Sequence, residues 1–256
     1  MNVEPKRVVE SQMDRQNREE RARQLAEVRP VHLPRCHVCR VEMLDAGKRD
    51  RLCQTCADGE TDRRRLQLRQ ALADMTPPHY RWATQNAPEL VQRVTPSNAI
   101  ARAFAAIAAT SVVFVGPAGT GKTCLGRAVW VEAVVGGVHP TRRTSSVGEP
   151  IYAGGNGLFV TTFELAKARR EHKLGNGEAE LIEDAILVRA LLLDELGSEA
   201  GRGDTTVSEI IHERHARDLQ TFYTTPYSLE DLQARYGAGI ARRIFESAAV
   251  IRLGGK

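Results

Sequence analysis

Residues 112–123 read VVFVGPAGTGKT: four apolar, β-favouring residues run straight into a glycine-rich turn that closes on Lys-Thr. Gly116, Gly121, Lys122 and Thr123 match G-x-x-x-x-G-K-[ST], with a strand pattern before the turn and a helical one after it, over 122–135. The chemistry dictates the residue types. Glycines let the backbone of Gly116, Pro117, Ala118, Gly119, Thr120 and Gly121 curl, so that consecutive N–H groups and the positive end of the helix face phosphate oxygens. Lys122 would reach the β- and γ-phosphates of ATP, and the Thr123 hydroxyl would bind Mg²⁺. Cys124 continues the backbone of the loop and counts among the nucleotide-contacting residues, its thiol reading as an ordinary buried one.

Such a loop leaves the metal half-coordinated, so a carboxylate should stand at the end of another buried strand. ALLLDE (190–195) supplies it. Asp194 would hold Mg²⁺ through water, and Glu195 would orient or deprotonate the water that attacks the γ-phosphate. Around these motifs short apolar runs alternate with helical stretches: helix 97–109, VVFV (112–115), helix 122–135, LFVTT (158–162), a charged segment 163–185 that splits into two helices at Gly175-Asn176-Gly177, ALLLDE, helix 204–217, TFYTT (221–225) and helix 228–235. This order predicts an α/β fold with a central parallel sheet flanked by helices.

The chain has 256 residues, room for one such domain from about 95 to 256 plus a small appendage. A net charge of +4 and a pI near 8.9 allow contact with nucleic acid without establishing it. No apolar stretch is long enough to span a membrane, and the first residues lack the apolar region of a secretory signal, so a cytoplasmic protein without membrane contact is expected.

Residues 1–33 are dense in Arg, Glu and Gln and read either as a solvated helix or as a tail. Residues 34–75 form the next unit. It opens with CHVCRVEMLDAGKRDRLCQTC (36–56), in which Cys36, Cys39, Cys53 and Cys56 are spaced C-x₂-C-x₁₃-C-x₂-C. In a reducing compartment such pairs are metal ligands more often than disulfides, and four thiolates close the shell of a structural Zn²⁺ without recruiting His37. The metal would fold a module too small for its own core. A connecting helix follows, with Leu66, Leu68, Leu72 and Met75 at helical spacing. Residues 76–94, interrupted by proline and carrying Tyr80 and Trp82, read as an extended linker packed on the main domain.

Lys167, Arg169, Arg170, His172 and Lys173 form a basic cluster on one helix, either a solvated face or a contact for a nucleic-acid backbone. Phe163, at its start, would either stack on a base or pack on the sheet, and packing is the expectation.

The motifs PPHYR (77–81), GPAGTGKT (116–123), LFVTTFEL (158–165), LLLDELG (191–197), TT-x-YSLEDL (224–232) and YGAGIARRIFE (236–246) together resemble the AAA+ ATPases that load bacterial replicative helicases, the DnaC/DnaI type, and the similar IstB-type transposition helpers. The resemblance spans 76–253. It implies an ATP-dependent homo-oligomer that grips single-stranded DNA and acts on a partner, the replicative DNA helicase, in replication initiation. Gly116 to Thr123 is then the Walker A loop and Asp194–Glu195 Walker B. Arg243, with Arg242 beside it, falls where the family places an arginine that reaches the neighbouring subunit's nucleotide.

Departures from the family are informative. Pro226 stands where the family commonly has a polar sensor, so sensing would pass to Thr224 or Thr225, or hydrolysis would be slow. The 136–157 stretch exceeds the family's usual loop, and the chain ends too soon after Arg243 for a helical lid. Some loaders carry similar zinc modules that grip the helicase, which makes the cysteine module a partner-binding adaptor. Alternatively Lys48, Arg49 and Arg51 would touch DNA, as suits an IstB-type ATPase that binds target DNA and assists a transposase. A third possibility is a nucleotide-binding scaffold without turnover, which Glu195 opposes and Pro226 slightly favours.

Overall fold

The computed structural model describes residues 54–137, 157–172, 177–199 and 205–254. The chain divides into two compact units, Met1–Asp62 and Arg63–Lys256. Of the first, the described residues belong to the start of a helix, α1 (Gln54–Met75). The calls for residues 1–53, for the loop from 138 to 156 and for Lys173 lie outside the described residues.

Five strands form one parallel sheet in the order β2-β3-β4-β1-β5: β1 (Ser111–Val115), β2 (Gly157–Thr161), β3 (Ala190–Asp194), β4 (Gln220–Thr225) and β5 (Ala248–Arg252). Strands β3 and β4 are buried along their whole length, because helices cover both faces and leave no solvated side. Alternate residues of each strand feed separate cores. Val112, Phe114, Leu192 and Phe222 face α2 (Pro88–Arg93), α3 (Asn98–Ala105) and α4 (Lys122–Gly136), together with Leu72 of α1. Val113, Leu191, Leu193 and Tyr223 face α5 (Thr162–Glu171), α6 (Glu180–Leu187), α7 (Thr206–Ala216), α8 (Leu229–Tyr236) and α9 (Ala238–Phe245). Helix α4 is apolar nearly all round and is the most enclosed. Its Trp130 is fully buried and still satisfied, donating Nε1 to the Ala190 carbonyl at 3.0 Å.

Register places the chemistry. Val115 pairs with Thr225 and with Arg252, and Thr161 pairs with Asp194, so the C-terminal ends of the strands line up along one edge. Helices α5 and α8 start there under reciprocal caps. Thr161 with Glu164, and Ser228 with Asp231, each satisfy two otherwise orphaned N–H groups.

Several expectations are corrected. The stretch 76–94 is not extended, since Pro78–Tyr80 forms a 3-10 turn and Pro88–Arg93 forms α2, each started by a proline whose fixed φ suits a first turn. Tyr80 and Trp82 do pack against the core beneath α4. The helix expected over 97–109 ends at Ala105. Thr162 begins α5 rather than ending β2, because Thr161 caps it. Phe163 does not pack on the sheet: it points outward from the first turn of α5 and is 51% exposed. Along α1, Leu72 is buried while Leu66 and Met75 are exposed, so the apolar spacing there overstates the face that packs.

Candidate active site

The glycine loop leaves the end of β1 through a space with no room for a side chain at Gly116 or Gly121. A Cβ on Gly116 would run into the Leu253 carbonyl, and one on Gly121 would lie 2.8 Å from the Arg93 carbonyl oxygen. Gly121 also has φ of 85°, a conformation that glycine alone adopts without cost, and from it α4 departs. Neighbouring strands brace the loop: Gly116 N donates to Thr225 O at 3.2 Å, and Leu253 N donates to Val115 O at 2.8 Å. A backbone pressed this close, ending on the N-terminus of a 15-residue helix, fits an anion of phosphate size.

Lys122 folds back on the loop, its Nζ donating to Pro117 O at 2.7 Å. Burial lowers its pKa, against the opposing pull of Asp194 and Glu195. Thr123 and Asp194 meet, with Oγ1 donating to Oδ1 at 2.9 Å. Asp194 is 2% exposed, and burial raises its pKa despite the hydroxyls of Thr224 and Thr123 that hold it. A hydroxyl and a carboxylate in contact, both oxygen donors, fit a hard cation such as Mg²⁺.

Glu195 follows with φ of 58°, a left-handed residue that is not glycine and costs about 1–3 kcal/mol. Its backbone is pinned in that state. Thr162 Oγ1 and Ser198 N both donate to its carbonyl at 2.9 Å, and its own N–H donates to Thr224 Oγ1 at 3.0 Å. The left-handed turn carries the Glu195 side chain out of the strand into solvent, while Asp194 stays within it.

Of the two threonines expected to replace a sensor, Thr224 joins the site, its hydroxyl donating to Asp194 Oδ1 while accepting from Glu195 N. Thr225 instead braces the loop after β3, donating to Leu196 O at 2.8 Å. Pro226 is exposed. Arg243 is not brought to this site within the chain. It sits on α9, in the layer opposite α4, where Nη1 donates to Gly239 O at 2.9 Å. Its neighbour Arg242 pairs with Glu246 at 3.7 Å.

Sequence reasoning gave Tyr80 no role at the site, yet its phenol faces Thr123 and Asp194. Burial and the Asp194 charge raise its pKa. The signal was present in PPHYR, whose prolines fix the turn that aims it. Cys124 is buried, and burial raises the pKa of its thiol. Arg169 of the basic cluster is engaged by Glu178 at 2.7 Å and Glu209 at 2.8 Å, which leaves Lys167 and Arg170 exposed on that helix beside Phe163. Among the described residues no group of three or more His, Cys, Asp or Glu is placed to hold a metal. Cys36, Cys39 and Cys53 lie outside them, and Cys56 is in the first turn of α1.

A crystal structure of the DnaC helicase loader is similar to this chain at 20% identity with a TM-score of 0.48, covering 66% of this chain and 100% of that one. A structure of DnaI is similar at 23% identity with a TM-score of 0.47, covering 65% and 94%. A structure of DnaA from Aquifex aeolicus bound to AMPPCP is similar at 20% identity with a TM-score of 0.43, covering 61% and 45%. No family model and no curated protein matches the chain.

Proposed function

We propose that this chain is an AAA+ ATPase of the helicase-loader type, a switch that binds the replicative DNA helicase and helps place it on single-stranded DNA, with ATP binding and hydrolysis controlling assembly and release. The observation that carries the nucleotide chemistry is the Thr123–Asp194 contact, which joins the glycine loop to a buried carboxylate on a second strand. The loader role is supported by the order of motifs over 76–253.

When bound, ATP supplies the phosphoanhydride bond and Mg²⁺ neutralises charge as it breaks. The chain's own residues do the rest. Gly116 to Thr123 bind phosphate oxygens, with Lys122 released from Pro117 to the β- and γ-phosphates. Thr123 and Asp194 would hold the cation. Glu195 is oriented by its left-handed turn to take a proton from the attacking water. Arg243 completes the site of a neighbouring copy, because a guanidinium held away from its own loop stabilises transferring phosphate only after subunits assemble.

Cys36, Cys39, Cys53 and Cys56 hold Zn²⁺ in a module over 34–75 that grips the helicase. Residues 76–94 join it to the ATPase domain over 95–256. Lys167 and Arg170 lie toward single-stranded DNA. No helix of the described residues is long and apolar enough to cross a membrane, and we place the protein in the cytoplasm.

The test measures ATP turnover with and without single-stranded DNA, in the native chain and in Glu195→Gln. DNA-stimulated hydrolysis lost in the variant is expected; a chain that binds ATP without turning it over would be a scaffold. A pull-down then compares the full chain with Cys36→Ser/Cys39→Ser against the replicative helicase of the source organism. Zinc-dependent capture of the helicase is expected, whereas capture of duplex DNA alone would make it a transposition helper.

A further inference from the structure

Beyond the Walker B carboxylates the loop after β3 carries a second acidic residue, Glu199, that hydrolysis does not use. It is 5% exposed, and a buried carboxylate is costly unless paired and hydrogen-bonded. Its partners come from one place, the end of α8. Arg235 Nε pairs with Glu199 Oε1 at 3.0 Å, Arg235 Nη2 donates to the Glu199 carbonyl, and the Tyr236 hydroxyl donates to the same Oε1. The arginine therefore holds the backbone as well as the side chain of Glu199. Burial and the Glu199 carboxylate raise the pKa of the Tyr236 phenol, so it stays a donor. Glu199 Oε2 is buried and has no partner among the described residues, so the carboxylate is held from one side.

The same loop also lies close to α8 and to the residues just before it. Gly197 has φ of 96°, and a Cβ there would come within 2.5 Å of the Tyr227 ring and 3.3 Å of Leu232. Upstream, Leu196 N donates to Thr224 O at 2.8 Å and Thr225 Oγ1 donates to Leu196 O at 2.8 Å. Glu195, the Thr224–Asp194 contact and Glu199 thus belong to one tightly bonded turn. On the other side, Tyr236 ends α8, and Gly237 leads directly into α9, which carries Arg243 and packs on β1, the strand that delivers the glycine loop.

We propose that Glu199, Arg235 and Tyr236 form a latch that fixes the α8–α9 pair to the turn bearing Glu195, so that Arg243 is presented to a neighbouring subunit only in register with the state of its own nucleotide site. The three are positioning residues, acting through Arg243. An ion pair whose carboxylate is buried while its arginine stays partly exposed is suited to this, since its geometric demand specifies register even where its net contribution to stability is small. The latch rests on the ATPase function proposed above.

The experiment uses the full chain and the variants Glu199→Gln, Arg235→Gln and Tyr236→Phe, the last removing one oxygen. Steady-state ATP turnover, thermal melting and hydrogen exchange over 229–245, with and without ADP or a non-hydrolysable ATP analogue, are measured on each. The latch predicts kcat lower by about tenfold or more at nearly constant KM for ATP, a melting temperature in Tyr236→Phe lowered only as far as one lost buried hydrogen bond requires, and no further loss when Arg235→Gln is added to Arg243→Ala. It also predicts nucleotide-dependent protection of 229–245 in the native chain that disappears in Glu199→Gln. Native-like kcat in the variants overturns the latch and leaves the ATPase standing, as do losses that add to that of Arg243→Ala, or a joint collapse of KM, kcat and melting temperature in every variant. A native chain that binds nucleotide without turnover overturns the ATPase, and the exchange measurement then decides the latch. A native chain that binds no nucleotide overturns both.

Discussion

Thr224 donates its hydroxyl to Asp194 Oδ1, the same oxygen that accepts from Thr123 at 2.9 Å. One carboxylate oxygen therefore reads the loop of β1 on one side and the end of β4 on the other. Pro226 carries no polar side-chain group, and the hydroxyl two residues earlier stands inside the site. Thr224→Val keeps the shape and removes the donor, leaving Asp194 Oδ1 and the Glu195 N–H each short of a buried partner. A loss of about 1–3 kcal/mol in denaturant unfolding is expected, with a fall in kcat for ATP. Thr225→Val, which touches only the Leu196 carbonyl and the Tyr227 N–H, should lower stability with a smaller effect on kcat.

The buried state of Asp194 makes stability depend on pH in a direction opposite to the usual carboxylate. Burial raises its folded pKa above the unfolded value, so the folded chain binds the proton more tightly. The resulting stabilisation is complete below the ordinary carboxylate range and is lost as pH rises through the raised folded value. Mg²⁺ needs the charged form and so stabilises progressively more over the same window. Thermal melts across pH, with and without Mg²⁺ and ADP, should show both trends. Asp194→Asn should flatten the slope without magnesium and abolish the response to it; an unchanged slope in that variant would place its origin elsewhere.

The loop at 116–123 and the carboxylates at 194–195 were legible because each sits where a β-rich apolar run stops, and the parallel sheet followed from the alternation of such runs with helices. Helix α9 and strand β5 were not read as elements. Gly237 and Gly239 interrupt the pattern, and AAVIR (248–252) is short, ends on arginine and lies at the sheet edge, half-exposed over its first three residues. The 3-10 turn and α2 were hidden by their prolines, which mark a break and a start equally well. Thr161 and Ser228 each precede a Glu or Asp by three residues, a capping signal that the sequence carries in plain view. No pattern along the chain reveals that Thr224 meets Asp194, because that contact depends on the register of β3 against β4.

Arg214 is fully buried and, among the described residues, has no carboxylate partner. Its Nη1 donates to the Ala185 and Val188 carbonyls at 2.8 Å, Nη2 donates to Gln220 O at 2.6 Å, and Nε donates to Thr221 Oγ1 at 2.9 Å. Burial pulls its pKa down to about 9, yet the fork of donors matches acceptors at the end of α6 and the start of β4. Arg214→Leu would strand several buried carbonyls, and a destabilisation of about 3 kcal/mol or more is expected. Arg214→Lys keeps a charge but cannot span the acceptors, so it should fall between the two in urea unfolding. Equal stability of Arg214→Leu and the native chain would show that the network contributes nothing net.

Arg242 and Arg243 are adjacent and chemically identical, yet their surroundings assign them different work. Arg242 is exposed and pairs with Glu246 one turn on at 3.7 Å, an arrangement worth about 0.3–0.5 kcal/mol. Arg243 has a backbone carbonyl as its partner, Gly239 O, and stays within reach of another molecule. Arg242→Ala should therefore leave ATP turnover near native. Arg243→Ala should keep ATP affinity and lose turnover by about 10³-fold, the scale of an arginine supplied to a neighbour's phosphate. Mixing decides whether the supply is in trans. Arg243→Ala subunits keep an intact Walker B, and Glu195→Gln subunits keep the arginine, so a mixed assembly contains interfaces at which both halves are native. Turnover recovered on mixing two inactive variants is expected, and its absence, with assembly shown by light scattering, would return Arg243 to a role within its own chain.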